Sequence, residues 1–398
     1  MSNRKGFVLY KDNIAGVIEE TPRGGSYFAY NDDWNEVSIA CTLPVHKRYF
    51  EWNVGLHPFF QNLLSEGWLR DEKSKAGDIN EEDDFGHLLR YGKECIGAVG
   101  VVDAKENKTS NIIILGSEIE KSIKAHSNMS GVHKKIFVYK SKNDNKYHPA
   151  NDKTPSTHIA KFNDDNIESR QSLVRNEFKS LKLAQSVLGK EQVVNFTIAD
   201  VENYESALIV ERFDRKSDGS KLRMEEFAQI LNKPQGLDKN GKYNGSYEEI
   251  AAIIKEYSSL PKIDLLLFFK LLVFNIIICN SDAHLKNFAL LETLNGLRLS
   301  PAYDLLNASI YGSRYDSSLA LQLNGKKPFL DKINKAMLFE FALSIGLNKE
   351  ATELVFNEFK NKFKNNSILK ASEAEQPEDF NNRYKYIVDS SCQRILAD

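Results

Sequence analysis

Asn275-Ile276-Ile277-Ile278-Cys279-Asn280-Ser281-Asp282-Ala283-His284-Leu285-Lys286-Asn287 closes a long apolar run with a burst of polar residues. A second apolar run follows from Phe288 to Leu291, then a turn at Asn295-Gly296, then Ser300-Pro301-Ala302-Tyr303-Asp304. The stretch thus holds an Asp, an Asn five residues later, and a second Asp beyond a hairpin. One carboxylate and one carboxamide carried on a hairpin are a donor set that suits Mg²⁺, a hard cation that takes few protein oxygens and fills its shell with phosphate and water.

Asp282 and Asn287 stand in the D-x-x-x-x-N spacing of the protein-kinase catalytic loop. There the Asp accepts the proton of the substrate hydroxyl, the Asn holds one Mg²⁺, and a later Asp holds the metals that bridge the phosphates. The spacing alone fits two helix-to-strand turn residues equally well, because Asp and Asn bond their own backbone in turns. His284, Lys286 and the later Tyr303-Asp304 shift the balance toward phosphoryl transfer.

Composition sets the frame. At 398 residues the chain exceeds one compact core and suggests two or three units. A net charge of -2 gives no whole-chain electrostatic argument for nucleic acid or a membrane. Cys41, Cys95, Cys279 and Cys392 are widely spaced, which fits reduced thiols in a cytoplasmic protein and no thiolate metal site. Met1 to Gly6 lacks the apolar core of a signal peptide. Ile263 to Cys279 carries Asp264, Lys270 and Asn275, so it reads as a buried helix and no membrane span is expected.

Toward the N-terminus, Phe7 to Tyr10, Ala15 to Glu19 and Ser26 to Tyr30 read as strands of a small antiparallel sheet, with a turn at Asp12-Asn13. His57 to Arg70 reads as one helix, with Pro58 in its first turn and Gly67 at its exit. Asp83 to Tyr91 is a second helix, followed by a strand at Ile96 to Val102. The run from Lys121 to His148 is rich in Lys, and composition alone makes it a solvated face. Within it a loop at 128–135 feeds the strand Ile136 to Tyr139, and its backbone N–H groups suit phosphate.

Lys161 follows in the strand Thr157 to Phe162, and Glu177 in the helix that Asn176 opens. A strand lysine held by a helix glutamate is the other half of a kinase site, although a snorkelling lysine and an exposed glutamate paired with Lys179 or Lys182 account for each singly. Val193 to Ala199 and Ala207 to Val210 read as strands ending in Glu211-Arg212-Phe213-Asp214-Arg215. Helices are expected over Glu248 to Tyr257, Ile263 to Ile278, Lys332 to Gly346, Lys349 to Lys364 and Pro377 to Ala397.

Together, the loop at 128–135, Thr157-His158-Ile159-Ala160-Lys161, Asn176-Glu177, Glu211 to Arg215, Asp282 to Asn287 and Ser300 to Asp304 closely resemble the HipA family of toxin serine/threonine kinases. Pro58 to Gly67 resembles that family's N-terminal subdomain. The resemblance implies an α+β, bilobal protein-kinase-like fold: an N-terminal α+β subdomain over 1–105, a mixed-sheet lobe over 106–215 and an all-helical C-terminal lobe over 216–398. It implies Asp282 as the catalytic Asp with His284 and Lys286 completing the loop, Asn287 and Asp304 as Mg²⁺ ligands, and Lys161 as the ATP-phosphate lysine partnered by Glu177. Glu211 and Phe213 match the adenine hinge, and Gly131, His133 and Lys135 the phosphate-covering loop.

That loop carries a regulatory serine in the family. Here Asn128 stands at the usual serine and His133 at a usual Gln, leaving Ser130 as the candidate phosphosite. A phosphate of charge about -1.5 to -2 there repels the ATP phosphates. The resemblance further implies a HipB-like helix-turn-helix antitoxin, DNA reached through it, and a serine of an aminoacyl-tRNA synthetase as substrate. A small-molecule or lipid kinase and a weakly active co-repressor remain open as alternatives.

Overall fold

The computed structural model describes residues 3–35, 37–105, 134–151, 154–163, 172–202, 204, 206–235, 240–314, 317–370 and 378–397. The chain divides into two compact units, one of Met1–Phe162 with Thr197–Gly241 and one of Asn163–Phe196 with Lys242–Asp398.

The first unit begins with an antiparallel sheet of β1 (Lys5–Tyr10), β2 (Asn13–Glu20), β3 (Ser26–Tyr30), β4 (Tyr49–Trp52) and β5 (Val99–Asp103), in the order β4-β3-β2-β1-β5. The hairpin between β1 and β2 turns on Lys11 and Asp12, both at positive φ (47° and 67°), one residue earlier than the expected Asp12-Asn13. Two positive φ values give a turn whose twist matches that of the strands. One face of the sheet buries Val8, Ile18, Phe28 and Phe50 against Phe59, Phe60, Leu64 and Leu88.

The single helix expected over His57 to Arg70 is two elements. A four-residue turn of helix, Pro58–Gln61, is capped by His57, and α1 runs over Gly67–Gly77. Gly67 opens the second helix instead of closing the first, because its φ of 53° redirects the chain where a side chain would be strained. The helix α2 (Asp84–Tyr91) starts as expected, with the Asp83 side chain accepting the Gly86 N–H at 2.9 Å.

A second sheet in this unit contains β6 (Lys135–Lys140), β7 (Tyr147–Pro149), β8 (His158–Lys161), β9 (Phe196–Asp200) and β10 (Ser206–Glu211), in the order β7-β6-β8-β10-β9. β8 pairs antiparallel with both β6 and β10. The sheet curls until its edges meet: Tyr147 and Val201 form a parallel bridge, and the Glu202 N–H donates to the Tyr147 carbonyl at 2.9 Å. Ile136, Val138, Ala160, Phe162, Ala207 and Ile209 fill the inside of the curl.

Glu211 to Arg215 does structural work that its motif did not announce. Asp214 accepts the Gly97 N–H at 2.7 Å and pairs with Arg212 at 2.6 Å and Arg215 at 2.9 Å. Both arginines also reach Glu94, at 2.9 and 2.8 Å. Burial alone raises the Asp214 carboxyl, but the two arginines outweigh it and hold it down at about 2. These charges tie the end of β10 to the segment leading into β5.

The second unit is helical: α3 (Leu173–Leu188), α4 (Tyr247–Tyr257), α5 (Pro261–Ile277), α6 (Lys335–Ser344), α7 (Lys349–Lys364) and α8 (Glu378–Leu396). It also carries one hairpin, β11 (Ala289–Thr293) with β12 (Gly296–Leu299), so it is not all-helical. α5 is its centre, with Phe268, Phe269, Leu272, Phe274 and Ile277 fully buried.

The polar residues that interrupt α5 each have a partner. Asp264, fully buried, accepts from Arg298 at 2.8 Å and from the Leu299 N–H at 3.0 Å, which fixes β12. Lys270 meets Glu358 at 2.6 Å, and Asn275 bonds Asn280. Among the described residues no helix is long and apolar enough to cross a membrane.

Candidate active site

The polar stretch begins where α5 stops. Cys279 takes a φ of 55°, its N–H donating to Ile276 and that of Asn280 to the Asn275 carbonyl at 2.8 Å. These are the two crossed bonds of a Schellman ending, with a cysteine where glycine is usual. The Asn280 amide then donates to the Asn275 side chain at 2.8 Å and its oxygen accepts the Asp282 N–H at 3.2 Å. The helix end thereby sets the position of Asp282.

From Asp282 the loop folds on itself. The His284 N–H reaches the Asp282 carbonyl at 2.8 Å, and the Asn287 N–H reaches the His284 carbonyl at 2.9 Å. His284 Nδ1 accepts the Lys286 N–H at 3.3 Å, so that nitrogen carries no proton and the imidazole braces the turn. The hydroxyl of Tyr247 donates to the Ala283 carbonyl at 3.1 Å, and burial pushes it above its ordinary range.

Asn287 and Asp304 meet directly: the amide donates to Asp304 Oδ2 at 3.0 Å. Asn287 Oδ1 accepts the His284 N–H at 3.2 Å and, as a carbonyl-type oxygen, keeps a second lone pair. Asp304 sits at a φ of 58°, a left-handed conformation that Asp and Asn tolerate better than other side chains. Tyr303 beside it donates to the Lys286 carbonyl at 2.9 Å, lacing the second polar segment to the first. One carboxylate and one carboxamide oxygen, both presented by fixed turns, form a donor set that fits Mg²⁺.

Asp282, His284, Lys286, Asn287 and Asp304 therefore converge in the helical unit. Glu177 lies in the same unit, buried on α3. Its neighbour Asn176 clamps the chain just past Asp304, donating to the Asn307 carbonyl and accepting the Asn307 N–H, both at 2.9 Å. The alternative of an exposed Glu177 paired with Lys179 does not fit: both residues are buried, and Lys179 bonds Asn381 at 2.6 Å.

Lys161, Glu211 and Phe213 lie in the sheet unit. Lys161 on β8 stands directly opposite Lys135 on β6, so the two side chains share one face. Like charges opposite one another are unfavourable. Glu211 ends β10 opposite His158. Ser130, Gly131 and His133, with Asn128, lie outside the described residues.

Three site features had no signal in the sequence pattern. Tyr243 donates to Asp282 Oδ1 at 2.6 Å from 39 residues upstream, the Asn176 clamp spans 131 residues, and the bracing by Asn275 and Asn280 looked like ordinary helix-end polarity.

Comparison with known proteins places this geometry in a family. The HipA-like C-terminal domain matches residues 127–367, and the HipA N-terminal domain matches residues 7–102. The chain is 25% identical over 331 residues to the serine/threonine-protein kinase toxin HipA of Shewanella oneidensis, covering 74% of this chain and 72% of that one. It is 27% identical over 336 residues to Y4dM of Sinorhizobium fredii, 76% of each chain. In fold it follows the solved complex of HipA, HipB and operator DNA from Shewanella oneidensis MR-1, with a TM-score of 0.75, 22% identity and coverage of 98% and 97% of the two chains. With one family model spanning more than half of its length and a second matching its N-terminal part, the chain belongs to the HipA family.

Proposed function

We propose that the protein is an ATP-dependent serine/threonine protein kinase that acts as the toxin of a HipA-like toxin–antitoxin system. The observation that carries this reading is the Asn287–Asp304 pair at 3.0 Å, with Asn287 on the same loop as Asp282. Asn287 and Asp304 would hold Mg²⁺, which when bound offsets the charge of the ATP phosphates. Asp282 accepts the proton of the acceptor hydroxyl as its oxygen forms a bond to the γ-phosphorus; the bond from that phosphorus to the bridging oxygen breaks, and ADP leaves with the electron pair. Lys161, with Lys135 opposite, binds the phosphates, and Glu177 serves nucleotide binding. Glu211 and Phe213 border the adenine, with Gly131 and His133 covering the phosphates, while His284 and Lys286 shape the catalytic loop.

The acceptor in this reading is a serine of a translation protein, an aminoacyl-tRNA synthetase, in the cytoplasm. Ser130 is the site of inactivating autophosphorylation. The partner is a HipB-like helix-turn-helix antitoxin through which the kinase meets DNA; the Shewanella relative's structure holds HipA, HipB and operator DNA.

Intact-protein mass spectrometry of the full chain beside Asp282→Asn, followed by peptide mapping, tests the reading. A phosphate on the parent alone, on Ser130, is the expected result. Unphosphorylated parent that also labels no protein of a host lysate with γ-labelled ATP overturns it.

A further inference from the structure

Of the two Asp282 carboxylate oxygens, Oδ1 accepts a hydrogen bond from a tyrosine. The hydroxyl of Tyr243 donates to Oδ1 at 2.6 Å, a short bond of the kind formed between a hydroxyl and an ionised acceptor. The torsion that turns a carboxylate is soft and two-fold, so a bond of this kind helps to give its oxygens a direction.

Tyr243 is itself held from several sides. The carbonyl of Lys242 accepts the Leu285 N–H at 3.1 Å, which ties the tyrosine's own segment to the catalytic loop. The Tyr243 carbonyl accepts from the Lys327 ammonium at 2.9 Å. Its ring stands edge-on to His284, with centroids 5.1 Å apart and planes at 79°. Two residues on, the Gly245 carbonyl accepts the Gln322 N–H at 3.0 Å. A phenol gripped on backbone and ring, with its hydroxyl on the carboxylate, is built to aim Asp282.

We infer that Tyr243 is a positioning residue for phosphoryl transfer: by occupying Oδ1 it fixes the Asp282 carboxylate so that Oδ2 receives the proton of the acceptor hydroxyl. The inference rests on the reading of Asp282 as the proton acceptor. Tyr243 touches neither nucleotide nor acceptor in this role, so its loss slows turnover and leaves ATP affinity unchanged. Misplacing a catalytic group by about an ångström costs on the order of 100-fold in rate.

The test is a double-mutant cycle on the full chain, using Tyr243→Phe, Asp282→Asn and the pair, with transfer from γ-labelled ATP followed to long times. Tyr243→Phe keeps the ring and its packing, and thermal melting confirms the fold of each variant. The expected result is a ~10- to 100-fold fall in kcat for Tyr243→Phe with KM for ATP within about twofold of the parent, and no further fall when it is added to Asp282→Asn. Parent-like turnover by Tyr243→Phe, beside an Asp282→Asn slowed to its residual rate, overturns the inference and leaves the kinase reading standing. An equal fall in both backgrounds also overturns it, because the tyrosine then acts on something other than Asp282. Parent-like turnover by Asp282→Asn overturns the kinase reading itself.

Discussion

Asp304 combines a charge with a left-handed backbone, and the two are separable by substitution. Asn tolerates that conformation and Ala does not, since Cβ crowding costs roughly 1–2 kcal/mol there. Asp304→Asn is expected to abolish phosphotransfer with an unchanged melting temperature, whereas Asp304→Ala loses activity and about 1 kcal/mol of stability; transfer assays beside urea denaturation separate the two. Asn176→Ala removes both bonds to the Asn307 backbone, leaving a buried N–H unpaired and the carbonyl with only the Ile310 N–H at 3.4 Å. The expected cost is ~2–4 kcal/mol in denaturation, with slowed phosphotransfer because the chain just past Asp304 loses its clamp. At this scale the sequence was readable where spacing carries chemistry, as from Asp282 to Asn287. Tyr243 and the clamp made by Asn176 escaped because a hydrogen bond between residues 39 or 131 positions apart imposes no local pattern.

Elements were legible in proportion to their periodicity. The apolar run before Asn280 is α5, and the tail helix expected at Lys349 to Lys364 is α7 over that same range. The stretch from His57 to Arg70 misled because its apolar positions fit a continuous helix, while the chain leaves the helix after Gln61, is extended at Glu66 and turns through a positive φ at Gly67. Asp264 in α5 showed as a flaw in an apolar run, yet it anchors β12 through Arg298. Asp264→Ala leaves that guanidinium without its partner and is expected to cost ~3–5 kcal/mol. Hydrogen exchange read by mass spectrometry should show the loss first as faster exchange in the hairpin, Ala289 to Leu299.

On the scale of the molecule, the sheet unit carries a sensitivity to acid of its own. His57 and His87 are buried in the sheet unit; burial first, and nearby cations after it, push them down to about 4 and about 3. Below the ordinary histidine value of 6.5 the unfolded chain takes up protons that these folded imidazoles refuse. Stability of the unit therefore falls as pH drops from there toward 3, by on the order of 2–3 kcal/mol per histidine at pH 4.5. Asp214 extends the loss, since the stability held by its lowered carboxyl disappears between about 4 and 2. All three tryptophans, Trp34, Trp52 and Trp68, lie in this unit, so their fluorescence reports it selectively. The urea midpoint they record is expected to be lower at pH 4.5 than at pH 7, and His57→Asn, which can still cap its helix, should shrink the difference.

The two-lobed α+β plan and the family were legible in the motifs. The exchange of chain between units was not: the expected divisions near 105 and 215 follow contiguous stretches, while residues 163–196 pack with the helices and 197–241 with the sheets. That interleaving bears on how the protein is made. On a ribosome, β8 emerges early, but β10, its partner on one side, is synthesised only after a segment that must wait for helices still untranslated. The nascent chain thus exposes an unpaired strand edge through the middle of its synthesis, the kind of edge that chaperones cover and that recruits other chains. No single cut separates the two units, so a proteolytic nick that spares one leaves the other without part of its core.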